Sequence, residues 1–248
     1  VSPTTTRTIG PVLVITIDRP HVHNAVDHAV LVGMRAALER LESAPELRAG
    51  VLTGAGATFC SGADLRARLA GERVVDDNGF AGLTRRRRTK PLIAAAEGNA
   101  LGGGMELALA CDIVVAARDA RFGLPEVRRA VLAAEGGLYR SASVLGRKVA
   151  MQLALTGEPI DAERAHQLGL VNELTDSGKA LETAVAIAER IAANAPESVR
   201  QSKRVIDESA GLAEDDAWAL TQEAYAAVKA SPEFQEGARA FVARKGAR

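Results

Sequence analysis

Residues 90–127 read KPLIAAAEGNALGGGMELALACDIVVAARDARFGLPEV, and this stretch decides the fold. Residues 91–96 form a short apolar run of buried-strand character. EGNALGGG turns the chain, and an apolar helix is expected from about residue 104 to 110. Residues 112–116 then read as a further strand. Strand, glycine-rich turn, helix and strand in close succession indicate an α/β chain.

The same grammar continues upstream. Residues 50–53 are a short apolar strand feeding the loop GAGATFCSG (residues 54–62), after which Ala63 is expected to open a second helix. Residues 12–18 alternate like a strand that Arg19-Pro20 terminates. Asp27 is a candidate cap for a helix over 28–41, with Val30, Leu31, Met34, Leu38 and Leu41 on one face. Residues 71–89 lose all periodicity and read as a mobile loop or irregular helix.

Downstream, FGLPEV leads into a mixed segment. A helix is expected over 147–155 and a last short strand over 170–174. From Lys179 the chain is almost purely helical. The expected organisation is an α/β core over 1–178 and a helical region over 179–248. No internal repeat of fixed period is visible.

Composition narrows the function classes. The 248 residues are 47% hydrophobic, enough for one large domain or a domain with a helical appendage. Lys+Arg and Asp+Glu both number 31, so no overall field favours nucleic acid or an anionic membrane. Cys60 and Cys111 are the two cysteines, which suits buried small hydrophobes in a reducing compartment. No apolar run approaches the roughly 18–20 residues of a membrane span. The N-terminal VSPTTTRT lacks the apolar run of a signal peptide, and Val1 as first residue suggests trimming. A cytoplasmic protein meeting a small molecule is expected.

Three constellations carry chemistry. In Leu101-Gly102-Gly103-Gly104-Met105-Glu106, successive glycines uncover main-chain N–H groups at a helix start, a site for negative charge. A tight turn with Glu106 complementing the helix dipole is the competing reading. GAGATFCSGADL (residues 54–65) is a second strand–loop–helix junction, offering the Ala63 N–H. Two such junctions could aim two donors at one oxygen. A dinucleotide fingerprint fails there, because Phe59 stands where its third glycine belongs. In FGLPEV, Pro125 presents Glu126 on a rigid turn. Beside Glu106 it would make a pair able to hold different protonation states; alone it is an ordinary helix start.

The segments RPHVHNAVD, GAGATFCSGADL, the 90–127 stretch and LALTGEPIDAERAHQLGLVNEL resemble, in matching order, the enoyl-CoA hydratase/isomerase (crotonase) superfamily. SPEFQEGARAFVARKGAR (residues 231–248) is similar to its C-terminus. The resemblance implies a spiral of ββα units with C-terminal helices that build homotrimers, often paired into hexamers. It implies an oxyanion hole from the N–H groups of Ala63 and Gly103, and Glu106 and Glu126 as the acid/base pair. Coenzyme A would fold around Ala63, Asp64, Leu65 and Arg66. No metal and no separate cofactor are implied, since coenzyme A belongs to the substrate.

The implied activity is addition of water to a trans-2-enoyl-CoA. Isomerisation, another acyl-CoA dehydration, or acyl-CoA binding without turnover are the alternatives. One segment departs from the pattern: where relatives run through a Gly- and Pro-rich stretch, residues 127–137 read VRRAVLAAEGG. Glu135 stands near positions that carry acidic groups in some relatives. It reads as a third active-site carboxylate or as a solvated turn residue. Arg85–Arg88 with Lys90 could meet coenzyme A phosphates or form a solvated face, and Arg244 and Lys245 are candidate phosphate contacts. His21, His23 and His28 lack the spacing of metal ligands. On the helix over 213–229, Trp218, Leu220, Ala224, Tyr225 and Val228 could make an oligomer contact or pack on the chain's own core.

Overall fold

A computed structural model describes residues 2–234 and 237. Its strands are β1 (Thr4–Ile9), β2 (Val12–Ile17), β3 (Ala49–Gly54), β4 (Val75–Asp76), β5 (Gly79–Phe80), β6 (Leu92–Ala96), β7 (Asn99–Leu101), β8 (Ile113–Ala117), β9 (Arg121–Gly123), β10 (Ile160–Asp161) and β11 (Glu173–Thr175). Its helices are α1 (His28–Ser43), α2 (Leu65–Leu69), α3 (Gly103–Ala110), α4 (Gly137–Leu145), α5 (Arg147–Thr156), α6 (Ala162–Gln167), α7 (Ala180–Ala192), α8 (Pro196–Glu208) and α9 (Glu214–Ala230). Arg244 and Lys245 lie outside the described residues.

The larger sheet runs β1-β2-β3-β6-β8-β11, parallel except for the antiparallel β1–β2 pair. A smaller sheet runs β10-β9-β7. The chain alternates between them: β6 enters the large sheet, β7 the small one, α3 returns it, and β8 and β9 repeat the move. After β3, Cys60 bridges Ala100 at the small sheet before α2 begins. This is the ββα spiral that the resemblance implied. Its units differ in length, so geometry repeats where sequence does not.

The central strands β2, β3, β6 and β8 of the large sheet are buried on both faces, as near-continuous apolar strands require. Leu13, Ile15 and Ile17 of β2 face the main core with Val30, Met34 and Leu38 of α1. Val12 and Val14 face the other way, with Val51, Ile93 and Val115, under Ala180, Ala184 and Ala188 of α7. Glu97 fastens α7 there, accepting from the N–H groups of Gly178 and Ala180 at 2.9 Å each. The division drawn at 178/179 thus separates the sheet from a helix that covers it. α8 and α9 pack on one another, and Ala224 is the one buried residue along the two.

Asp27 caps α1 as expected, its Oδ1 accepting from Val30 N–H at 2.9 Å, and all five apolar residues assigned to the inner face are buried. Residues 71–89 differ from expectation. They form the β4–β5 hairpin and bury Val74, Phe80, Ala81, Leu83 and Thr84. The arginine run is a solvated face only in part: Arg85 and Arg87 are exposed, whereas the side chains of Arg86 and Arg88 turn inward. Arg88 is buried against Asp112 at 2.9 Å, Arg86 bonds Gly82 O, and Arg85 pairs with Glu135. Apolar residues at irregular spacing carry no period, which is why this packing was invisible.

Two polar residues set the approach to the glycine-rich loop. Arg19 joins the caps of α1 and α2, reaching Asp27 at 3.1 Å and Asp64 at 3.0 Å. Asn24 is fully buried with φ 55°. Its Oδ1 accepts from Arg19 N–H, and its amide donates to Ala55 O and Thr58 O. Asn24→Ala would leave these buried groups unpaired. It is expected to lower stability by about 2–3 kcal/mol, seen as a fall in the urea unfolding midpoint.

Candidate active site

Two turns meet main chain to main chain. Cys60 N–H donates to Asn99 O at 3.1 Å, and Leu101 N–H donates to Cys60 O at 3.0 Å. A Cβ on Gly104 would stand 1.9 Å from Cys60 O, so glycine alone permits this approach. On the other side of the same loop, Val26 N–H donates to Gly62 O and Asp64 N–H to Val26 O. That alternation turns the Ala63 N–H away from Val26. A Cβ on Gly62 would lie 3.0 Å from Gly103 N, so the two turns touch at this point. The N–H groups of Ala63 and Gly103 find no acceptor among the described residues, and both residues are partly exposed.

Gly103 begins α3, as the glycine triplet suggested, but Ala63 does not begin a helix. α2 starts at Leu65, because Asp64 takes the cap and accepts from Arg66 and Ala67 N–H. Ala63 is therefore a loop donor without helix-dipole support. Burial acts against the charge of Asp64, but the Ala67 N–H, Arg19 and the Arg66 N–H together hold its carboxyl below the usual range. Its side chain is committed inside the protein. Leu65 and Arg66 are exposed, so of the residues expected around coenzyme A they and the Ala63 main chain remain open to a ligand.

Glu106 lies one turn into α3 and is 4% exposed. Its Oε1 accepts from Glu135 N–H at 2.7 Å and Gly137 N–H at 3.0 Å. Glu126 comes from the 3-10 turn Pro125–Arg129, and its Oε1 stands 3.2 Å from the Cβ position of Gly102. Its Oε2 is buried without a partner among the described residues. Glu126 thus stands against Gly102, with Glu106 one turn further along α3 and close enough for its charge to act on Glu126.

Burial pushes the Glu106 carboxyl above its ordinary range; the two N–H donors oppose the shift and the nearby Glu135 charge adds to it. Burial likewise raises Glu126, and its own N–H works against the rise while the charge of Glu106 reinforces it. Glu126 also walls a cleft of about 270 Å³ lined by Leu124, Val131, Leu132, Leu138, Met151 and Leu155. An apolar chain fits such a cleft.

Glu135 sits against Glu106, but its carboxylate turns away. It accepts from Phe80 N–H at 3.2 Å, Thr84 Oγ1 at 3.1 Å and Arg85 at 2.9 Å, with 12% of the side chain exposed. That is no solvated turn residue. Phe80, Thr84 and Arg140 were not read as parts of the site, because they lie in or face the segment without periodicity. The thiols of Cys60 and Cys111 are pushed up to about 12 by burial, which suits packing rather than nucleophilic attack. No helix among the described residues is long and apolar enough to cross a membrane.

A family model described as enoyl-CoA hydratase/isomerase matches residues 7–248. The chain belongs to this family. Mevalonyl-coenzyme A hydratase of Aspergillus fumigatus is 38% identical over 94% of this chain and 89% of its own. A short-chain-enoyl-CoA hydratase of Clostridium acetobutylicum is 35% identical, covering 95% and 93%. Among solved structures, an enoyl-CoA hydratase of Mycobacterium tuberculosis H37Rv superposes with TM-score 0.95 at 46% identity, covering 98% of this chain and 96% of that one. The hydratase/isomerase fold and the two-turn site are thus found together in this chain.

The raised carboxyls have a consequence for stability. Glu126 favours protonation in the fold, so its ionisation opposes folding above the folded pKa, and this effect fades as pH falls toward the ordinary value. Glu126→Gln is expected to melt above the wild type at pH 8. The gap should narrow as melts are repeated toward about pH 4.5.

Proposed function

We propose that the protein is an enoyl-CoA hydratase that adds water to a trans-2-enoyl-CoA to give the 3-hydroxyacyl-CoA. One observation carries the reading: two raised, adjacent carboxyls flank a pair of accessible main-chain donors with no acceptor of their own. In the proposed step Glu106 takes a proton from water as its oxygen attacks C3. The electron pair of the double bond moves onto the thioester oxygen, held by the N–H groups of Ala63 and Gly103. Glu126 then delivers its proton to C2, and exchange with solvent restores both carboxyls. The balance is one water added and nothing oxidised.

Burial raises the Glu126 carboxyl, which is the direction that helps a proton donor. Donors fixed in place before reaction suit the enolate oxygen, and losing one typically costs a few kcal/mol in barrier. Coenzyme A would run past Ala63, Leu65 and Arg66, with the acyl chain in the apolar cleft beside Glu126. No cofactor or metal enters the reaction, and a cytoplasmic setting accompanies it. Several relatives are named hydratases of different acyl-CoA esters, which supports the reaction class.

Incubation with crotonyl-CoA is expected to remove its conjugated absorbance. Glu106→Gln and Glu126→Gln should each lower kcat by about 10²–10⁴ while acyl-CoA still binds. Wild-type rates in both variants would end the assignment.

A homotrimer, or a pair of trimers, belongs to the same proposal. Ile206 on α8 is 73% exposed, and Trp218 and Tyr225 on α9 are 58% and 51% exposed, more apolar surface than two solvated helices need. Sedimentation equilibrium is expected to give the mass of three or six chains. A monomer would refute it.

A further inference from the structure

We infer that Glu135 is a positioning residue: its carboxylate ties the Phe80–Arg85 segment to the turn whose N–H groups hold Glu106, so that Glu106 and Gly103 are set together. This rests on the hydratase reading for its effect on rate, but not for its structural content.

The ties run across the site in both directions. The Glu135 carboxylate takes Phe80 N–H, Thr84 Oγ1 and Arg85, all on one short segment. Thr84 Oγ1 also accepts from Phe80 N–H at 2.8 Å, which closes a small ring of bonds. In return Arg140 donates to Thr84 O at 2.6 Å and to Glu135 O at 3.3 Å. The main chain of Glu135 meanwhile donates to Glu106 Oε1.

Each end of this strut meets the reacting groups. On one side the Phe80 ring lies where a Cβ on Gly103 would be, 2.6 Å from that position. On the other, the turn of residues 135–137 supplies both donors to Glu106. Releasing Glu135 would let Phe80 move off Gly103 and let the turn drift from Glu106. A carboxylate saturated by three donors on one segment is badly placed to trade protons with substrate. Its geometry suits a strut.

The two roles separate by substitution. Glu135→Gln keeps an oxygen for Phe80 N–H and Thr84 but removes the charge; Glu135→Ala removes both. Positioning predicts kcat within about threefold of wild type for Gln, and a fall of about 10- to 100-fold for Ala with KM little changed. A direct proton-transfer role predicts that Gln is as slow as Ala, which would overturn the inference. Thr84→Val should reproduce the Ala effect, and Thr84→Ser should not.

A second readout needs no turnover. In free protein labelled with ¹³C at glutamate carboxyls, the Glu106 resonance is assigned by its loss in Glu106→Gln and titrated. Both Glu135 variants lose the neighbouring charge, but Ala alone slackens the turn and its N–H donors. The Glu106 midpoint should therefore lie higher in Glu135→Ala than in Glu135→Gln. Coincident midpoints would overturn the inference. A wild type that shows no hydration would sink the functional reading alone, because the titration still decides this one.

Discussion

Main chain rests on main chain at the centre of this protein, and its chemistry is built around that contact. The turns 54–64 and 98–104 approach so closely that a single methyl group at Gly104 would collide with Cys60 O at 1.9 Å. What this achieves is placement. Two turns, each with an amide donor that has no acceptor among the described residues, are held in place by hydrogen bonds on both flanks of the loop, to Asn99 and Leu101 on one and to His23 and Val26 on the other. Displacement of such donors by about 1 Å can lose on the order of 10²-fold in rate. Rigid main-chain contact removes that freedom more reliably than side chains with rotamers could. The buried Asn24 and the Arg19 bridge serve the same end, since they fix where the loop leaves β3 and where it enters α2.

The carboxylates obey the opposite logic. Buried ionisable groups are unfavourable unless paired, and Glu126 keeps one oxygen with no partner among the described residues. Glu106 is better served, yet its two N–H donors do not outweigh burial and the neighbouring negative charges. Like charges at close range in a dry site make it harder for both to be ionised at once. That is a useful state for adding water, where one group must accept a proton and another must give one. The instability is local, and the rest of the molecule offsets it with central strands buried on both faces and with close ion pairs such as Arg19–Asp64.

How much of this was legible in the sequence depended on whether the signal was local. Asp27 as a cap, the apolar face of α1 and the strands β2, β3, β6 and β8 follow from periodicity and short-range chemistry, and each appears within a residue or two of its expected place. Glycine and proline mark the turns that carry Glu106 and Glu126, and the family resemblance singled out the two as a pair. β1 was missed because TTTRTI is an edge strand with most residues exposed, so alternation had little to report. Ala63 was misplaced at a helix start because Asp64, one residue later, is the better cap. The 71–89 segment was misread for a different reason. Its burial depends on partners far along the chain, Glu135 and Asp112, which no window of neighbouring residues contains.

The departure at VRRAVLAAEGG is best understood through what that loop supplies to Glu106. Its donations are main-chain N–H groups, from Glu135 and Gly137, and main-chain donors are indifferent to most side chains. Losing a proline there changes little, provided the turn still closes. Gly137 packs tightly against the Glu106 carboxylate. A Cβ there would press within 3.0 Å of Glu106 Cγ, Glu106 Oε1 and Leu124 Cδ2, so glycine keeps the carboxylate and its donor in contact. Glu135 introduces a charge beside Glu106 that would by itself push the Glu106 carboxyl further upward. The fold directs that charge onto Phe80, Thr84 and Arg85, where it is neutralised and fastens the neighbouring segment.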